Sequence, residues 1–150
     1  MKKQLQEQQP SPMRMVNMAD KAFTCLLNRL LEEHLIDLTA EQCHVLNCLW
    51  KNDGLNHNEI AEKTNKDKTT ISRHIHHLRK KGFIKRAILE SDRRNKLIFL
   101  TESGKGLKKT VLAQMKKAES QALRKFSEDE IGVLQDGLDR VIANLKKGIS

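Results

Sequence analysis

The chain has 150 residues, the length of one domain, with 38% hydrophobic and 31% charged residues and a formal net charge of +9. No uninterrupted apolar run approaches the roughly 18 residues that a membrane span requires. The Gln-rich start also lacks the apolar core of a signal peptide, so the sequence predicts a cytoplasmic, globular protein without a membrane partner.

The excess positive charge is concentrated in the middle of the chain. Residues 59–109 contain 15 Lys and Arg against 6 Asp and Glu, a net charge of +9, whereas residues 1–58 carry −1 and residues 110–150 carry +1. A confined basic segment is typical of nucleic-acid binding, because Lys and Arg release counterions from the phosphate backbone. The alternative explanation is a solvated, lysine-rich surface without a nucleic-acid partner. Because the basic segment coincides with a helix-turn-helix pattern, DNA binding is favoured.

The first third of the chain predicts a tail and two helices. Residues 1–12 are polar and contain both prolines, so we expect a flexible tail. An amphipathic helix is predicted from Met13, with a Met-rich stripe that lies in the core or in a dimer seam: Met15, Met18, Ala22, Leu26 and Leu30. Thr39 and Gln42 have capping-box spacing at the start of a second helix, in which Trp50 is predicted to anchor the core.

The next stretch has the pattern of a helix-turn-helix. Asn56 and Glu59 have capping-box spacing at the start of a short helix. Asn65 can adopt the left-handed conformation that ends this helix, and Asp67 can cap the next one. Two helices separated by so few residues must turn sharply, as a helix-turn-helix requires.

The second of these helices predicts a recognition helix. Ile71, Ile75 and Leu78 form one apolar stripe that faces inward. The opposite side carries hydrogen-bond donors that suit phosphates and base edges: Lys68, Thr69, Ser72, Arg73, His76, His77 and Lys80. Gly82 fits the position just after the helix end.

Beyond the recognition helix, the hydrophobic period changes to two and predicts a β-hairpin. Residues 84–88 and 97–100 read as antiparallel strands flanking a turn at residues 90–95, and Leu55 is expected in a short strand that pairs with them. Arg93 and Arg94 in this turn suit a DNA minor groove, where Arg reads narrow width and negative potential.

Two further helices are predicted after the hairpin. Thr101 caps a long helix whose apolar side is Leu107, Val111, Met115, Ala118 and Ala122. Ser127 and Glu130 begin the last helix, whose apolar stripe is Ile131, Leu134, Leu138, Val141 or Ile142, and Leu145. A small winged domain alone would struggle to bury these faces, so they predict a dimerisation region. A dimer would place two recognition helices in successive major grooves, about 34 Å apart.

Taken in order, these motifs resemble the MarR family of bacterial transcriptional regulators. The residues that carry the resemblance are Ile60-Ala61-Glu62, Asp67-Lys68-x-Thr70-Ile71-Ser72-Arg73, Leu78-x-x-Lys81-Gly82-Phe83-Ile84-x-Arg86 and Asp92-Arg93-Arg94-x-Lys96-x-x-x-Leu100-Thr101-x-x-Gly104. The last run matches the D-x-R wing and L-T-x-x-G helix start of the family. The implied fold is mainly α with a small antiparallel β-wing, a single domain over residues 13–150. Within it, a winged helix-turn-helix at 38–101 is flanked by dimerisation helices at 13–36 and 102–148.

The resemblance also implies a role for individual residues on double-stranded DNA. The residues expected at the major groove or its flanking phosphates are Thr69, Thr70, Ser72, Arg73, His76 and His77. Lys68 would meet a phosphate, and Arg93 and Lys96 would contact the backbone. Arg94 would enter the minor groove, with Asp92 holding its guanidinium through a charge-assisted bond.

The implied function is a homodimeric, sequence-specific repressor of a pseudo-palindromic operator. Family members commonly release DNA when a small aromatic or phenolic anion binds between the winged domain and the dimerisation helices. A winged-helix protein-interaction module and an architectural DNA-binding protein are the alternatives. No catalytic or cofactor-binding motif is present, so we expect no enzyme activity.

The cysteines and histidines leave further alternatives open. Cys25, Cys43 and Cys48 read as buried, reduced residues, with an oxidant-sensing regulator as the alternative. A zinc site around His34, Glu41, Cys43 and His44 would lack both ligand count and geometry, so no metal is predicted. His74 is expected to be partly buried, whereas protonation of His76 and His77 should raise DNA affinity as pH falls.

Overall fold

The computed structural model describes residues 9–148, which are mainly helical with one two-stranded antiparallel sheet. In chain order the elements are α1 (Pro12–Glu33), α2 (Ala40–Lys51), α3 (His57–Thr64), α4 (Lys68–Lys80), β1 (Ile84–Leu89), β2 (Asp92–Leu100), α5 (Glu102–Gly106), α6 (Lys108–Ala122) and α7 (Glu128–Lys147). The chain divides into two compact units, one ending at Ala118 and the other beginning at Glu119. Over this part of the chain, every helix is too short or too polar to cross a membrane. The predicted fold class, mainly α with a β-wing, is confirmed.

The helix starts follow the predicted capping signals closely. Reciprocal capping boxes form at the starts of α2, α3 and α7, between Thr39 and Gln42, Asn56 and Glu59, and Ser127 and Glu130. Helix α1 begins at Pro12, inside the segment predicted as a tail, because the fixed φ of proline suits the first helical position. Residues 1–8 of that predicted tail lie outside the described residues.

The core of the first unit is built from α1 to α4, the two strands and α6. Its largest fully buried side chains include Leu27, Leu31, Leu46, Leu49, Ile60, Ile71, Ile75, Leu78, Ile98 and Val111. Burying each such aliphatic side chain contributes about 1.5–3 kcal/mol. Trp50 packs against this core, and its Nε1 donates to the carbonyl oxygen of Gly104 at 3.0 Å.

The apolar stripe predicted on α1 is only partly in this core. Leu30 is buried, but Met15 and Met18 are 55% and 54% exposed. The inward face of α1 is rotated toward Leu27 and Leu31. The N-terminal half of the helix therefore presents thioether side chains to solvent.

The apolar stripe on α7 is exposed as well. No residue of α7 is buried among the described residues, and Val133 and Leu145 are 72% and 59% exposed. An exposed apolar face of this length is typical of a surface that another chain covers.

The wing differs from its prediction in register. The expected turn at residues 90–95 is shorter, because β2 already begins at Asp92. Asp92 pairs with Leu89 whereas Lys96 pairs with Ile88, so residues 93–95 form an irregularity in β2 that β1 does not match. The predicted strand at Leu55 is a single bridge to Ile98, whose N–H donates to the Leu55 carbonyl oxygen at 2.8 Å.

The long helix predicted from Thr101 is in fact two helices. Thr101 caps the five-residue α5, the chain turns at Leu107, and α6 follows. Gly104 and Gly106 explain the interruption, because glycine has low helix propensity. Val111 and Ala118 of α6 are buried as predicted, but Ala122 is exposed.

Candidate nucleic-acid interface

The turn between α3 and α4 has the predicted chemistry. Asn65 ends α3 in the left-handed conformation, with φ 53° and ψ 40°. Asp67 caps α4 by accepting from the Thr70 N–H at 2.8 Å and from the Thr70 hydroxyl at 2.7 Å. These hydrogen bonds to the charged carboxylate lower the pKa of Asp67. The helix-turn-helix is confirmed as a structural unit.

Helix α4 presents one apolar and one polar face. Ile71, Ile75 and Leu78 are buried, which fixes the helix against the core. The side chains of Lys68, Thr69, Ser72, Arg73, His76 and His77 are exposed. Thr70 is half-buried, and its hydroxyl hydrogen is engaged in the cap. A row of exposed donors and cations on one helix can contact phosphates and base edges.

His74 lies on the edge between these faces and is half-buried, as predicted. Its Nε2 is 3.4 Å from Glu41 Oε2, yet both ring nitrogens are buried without a hydrogen-bond partner. Burial lowers the pKa of His74, an effect that the Glu41 carboxylate only partly opposes. The ring is therefore a neutral packing group at neutral pH.

The C-terminal end of α4 is held by a lysine. Lys81 Nζ donates to the Asp37 carbonyl oxygen at 2.8 Å, to Asp37 Oδ1 at 3.2 Å and to Gln42 Oε1 at 3.4 Å. Gly82 follows with φ +80°, which directs the chain into β1. Sequence reasoning missed the Lys81 contacts, because their partners are about 40 residues away.

The wing exposes both predicted arginines, Arg93 and Arg94. Asp92 Oδ1 accepts from the backbone N–H of Arg94 at 3.1 Å, so the expected bond to the Arg94 guanidinium is wrong for this structure. A short Asp side chain reaches the backbone amide two residues on more readily than a long side chain that extends into solvent. The carboxylate thus shapes the wing backbone and leaves the guanidinium exposed.

A basic cavity lies between α4 and β1. It has a volume of about 640 Å³ and is lined by His76, Arg79, Lys80, Ile84, Lys85 and Arg86. The half-buried His57 is nearby, and its pKa is lowered by burial and then by the charges of Arg86, Lys96 and Arg79. Arg79, Lys85 and His57 were not predicted as site residues; the only sequence signal was the basic excess of residues 59–109.

The cysteines differ in their surroundings. Cys43 is fully buried, and burial raises its pKa to about 12. Burial also raises the pKa of the half-buried Cys48. Cys25 is exposed, so the prediction that it is buried is wrong. A buried thiol with a raised pKa is a poor nucleophile, so Cys43 behaves as a small apolar residue.

The residues considered for zinc do not converge. His34 Nδ1 lies 2.8 Å from the Leu30 carbonyl oxygen, to which it can donate. Over residues 9–148, no group of three or more His, Cys, Asp or Glu side chains is arranged to hold a metal ion. The structure therefore offers no built metal site in this part of the chain.

Comparison with known proteins agrees with this geometry. A family model described as the MarR family matches residues 38–96. The HTH-type transcriptional regulator SarZ of Staphylococcus haemolyticus is 31% identical over 116 residues, which cover 76% of this chain and 75% of SarZ. The uncharacterized HTH-type transcriptional regulator YybA of Bacillus subtilis is 28% identical, with 90% and 89% covered. The chain spans about half the length of two other curated relatives.

A solved structure gives the same result for the fold. The crystal structure of the transcriptional regulator SlyA superposes with a TM-score of 0.85 at 30% identity, covering 93% of this chain and 96% of the SlyA chain. These relatives are transcriptional regulators and not enzymes.

Proposed function

Because the chain belongs to the MarR family of transcriptional regulators, we propose that it acts in the cytoplasm as a homodimeric repressor of a pseudo-palindromic operator. The observation that carries the proposal is the recognition face, defined as the polar side of α4 with the predicted contact residues Lys68, Thr69, Thr70, Ser72, Arg73, His76 and His77. All of these except the half-buried Thr70 are exposed. This face is polar and basic, as a helix in the major groove must be.

The wing supplies the second DNA contact of the proposal. Arg93 and Arg94 are exposed in the irregular part of β2, and Lys96 follows them on the same strand. An Arg at this position suits a narrow minor groove, where the negative potential is strongest. Asp92 would act through the backbone that it fixes, by presenting Arg94 in one orientation.

Dimerisation is proposed from the exposed apolar faces of α1 and α7. Met15, Met18, Val133 and Leu145 are each more than half exposed. A second copy would cover such surfaces and would space two recognition helices about 34 Å apart. In this arrangement residues 38–101 would read DNA, and residues 13–36 and 102–148 would hold the dimer.

Release by a small aromatic or phenolic anion is the regulatory part of the proposal. A cavity of about 460 Å³ opens between α1, α2 and the end of α3. It is lined by two carboxylates, Asp20 and Glu41, and by three cations, Lys51, Lys63 and Lys66. These cations could pair with the carboxylate or phenolate of such a ligand, and Cys48 could contact its apolar ring. A ligand here shifts the DNA-binding equilibrium only if it binds the free conformation more tightly than the DNA-bound one.

Fluorescence anisotropy tests the proposed function. The purified protein is titrated onto a duplex from upstream of its own gene and onto a shuffled duplex, across a salt series. Preference for the native duplex that persists as salt rises, with one dimer per site, supports a specific regulator. Equal and steeply salt-dependent binding contradicts it and indicates architectural binding. Absence of binding at low salt indicates a protein-interaction module.

An Arg94→Ala variant tests the wing separately. We expect a loss of about 1–3 kcal/mol in binding free energy at the native duplex, with a smaller loss at the shuffled one. Lys116→Ala, which removes an exposed cation on α6, is the matched control. Unchanged specific binding by Arg94→Ala would show that the wing assignment is wrong.

A further inference from the structure

We propose that the basic cavity between α4 and β1 binds one phosphodiester group of the DNA backbone. Apart from His76, which also belongs to the recognition face, the residues of this contact are separate from those of the recognition face and from the wing arginines. The inference rests on the proposed function, because it requires that α4 and the wing engage the same duplex.

The lining of the cavity has the chemistry of an anion site. Of its six lining residues, Arg79, Lys80, Lys85 and Arg86 are exposed cations, and His76 adds an imidazole. No carboxylate lines the cavity. In the part of the chain that the structure describes, ion pairs involve other cations, such as Arg29, Lys81 and Lys105. The four cations therefore repel one another without an acidic neighbour, and an incoming anion relieves that repulsion.

The position of the cavity indicates which anion it meets. The cavity lies between α4, proposed for a major groove, and the base of the wing, proposed for the adjacent minor groove. Adjacent grooves are separated by one sugar–phosphate strand, so that strand must cross the space between the two elements. Arg79 on α4 and Arg86 on β1 line this space from both sides. Their guanidinium groups can each donate two hydrogen bonds to phosphate oxygens.

His57 makes occupation of the cavity measurable. It is the first residue of α3 and is half-buried, and the charges acting on its ring come from α4, β1 and β2: Arg79, Arg86 and Lys96. Burial and these three cations lower the pKa of His57, so the ring is neutral in the free protein. A phosphodiester beside the cations offsets their charge, and the ring then takes up a proton more readily.

The first test is the salt dependence of DNA binding by Arg79→Gln and Arg86→Gln. Each variant should lower the slope of log affinity against log salt by about 0.9 and weaken binding to native and shuffled duplexes alike, by about tenfold. Arg79→Lys, which retains the charge, should keep most of the slope. Lys116→Gln on α6 is the control and should bind like the wild type. Circular dichroism confirms that each variant is folded.

The second test follows the His57 imidazole by NMR across a pH series. In the free protein, Arg79→Gln should raise the pKa of His57, because one opposing cation is lost. In the wild type, DNA should raise the pKa of His57 by a measurable amount, and Arg79→Gln should reduce that rise.

These outcomes separate the two proposals. If the wild type binds DNA but neither the salt slope nor the pKa of His57 responds, the cavity proposal is wrong and the regulator proposal stands. If inorganic phosphate raises the pKa of His57 but DNA does not, the cavity takes a free anion, which also contradicts the proposal. If the wild type binds no duplex, both proposals fail.

Discussion

Replacing Gly104 by alanine should destabilise the winged unit, because α5 touches the backbone between α4 and β1 at this residue. A Cβ on Gly104 would lie 2.0 Å from the Phe83 carbonyl oxygen, whereas real Cβ atoms essentially never approach closer than 3.0 Å. The backbone must therefore move by about 1 Å. The atom that the Cβ would meet belongs to the backbone and not to a flexible side chain. This Phe83 oxygen also accepts from the Thr101 N–H at 3.1 Å, which restrains it further.

The magnitude follows from these contacts. Forcing an extra carbon into a packed region costs about 1–3 kcal/mol. Displacing Phe83 also weakens its hydrogen bond from Thr101, a loss of about 0.5–1.5 kcal/mol. The same movement would also displace the Gly104 carbonyl oxygen, which accepts from the Trp50 indole. We expect a decrease of about 2–4 kcal/mol in the free energy of unfolding.

Urea unfolding monitored by fluorescence is the appropriate assay, because Trp50 is the only Trp and lies against Gly104. Protomer concentration must be held constant, since the stability of the proposed dimer would depend on it. Gly106→Ala is the matched control: a Cβ there meets no atom within 4 Å, so alanine should stabilise α5 by up to about 1 kcal/mol. An unfolding midpoint of Gly104→Ala equal to that of the wild type would refute the steric argument.

Three further predictions concern stability and thiol reactivity. The pKa values of His57 and His74 are each lowered from 6.5, with burial as the largest cause, so the unfolded chain binds protons at a higher pH than the folded one. The free energy of unfolding should be highest above pH 6.5 and should decrease as pH falls below it. Thermal unfolding between pH 7.5 and 5.5 measures this decrease. The decrease should be smaller in a His74→Gln variant. Cys43, with a pKa of about 12, should react with a disulfide reagent only on unfolding, and rapid labelling of a folded variant retaining only this cysteine would contradict the burial. Asn56→Ala should cost about 1 kcal/mol in urea unfolding, because α3 loses its capping side chain; an unchanged midpoint would mean that the cap contributes nothing.

The sequence predicted the helix-turn-helix because its signals are local. The Asn56 cap, the left-handed Asn65 and the Asp67 cap each depend on residues within three or four positions. The exposed donor face of α4 could also be predicted from the sequence, because the apolar stripe of Ile71 and Ile75 fixes which side of the helix points outward.

The remaining features depend on information that is not local. The register of the wing could not be predicted, because residues 90–95 are all polar and lack the alternation of apolar and polar residues that would fix their pairing. Asp92 was assigned to a guanidinium but bonds a backbone amide, a choice that only the backbone geometry decides. The basic cavity brings together side chains from α4 and β1, and its shape exists only in the folded chain.

The three contacts of Lys81 connect the end of α4 to Asp37, in the loop that joins α1 to α2, and to Gln42, in the first turn of α2. When α1 tilts, Asp37 moves with the loop, and α4 must either follow or lose both hydrogen bonds from Lys81 to Asp37. In the proposed dimer held by α1, the distance between the two α4 helices would then be set partly by the Lys81 ammonium group, which is not among the proposed DNA contacts. A variant lacking this lysine would keep every proposed DNA-contacting side chain, but the separation of its two α4 helices would be less defined.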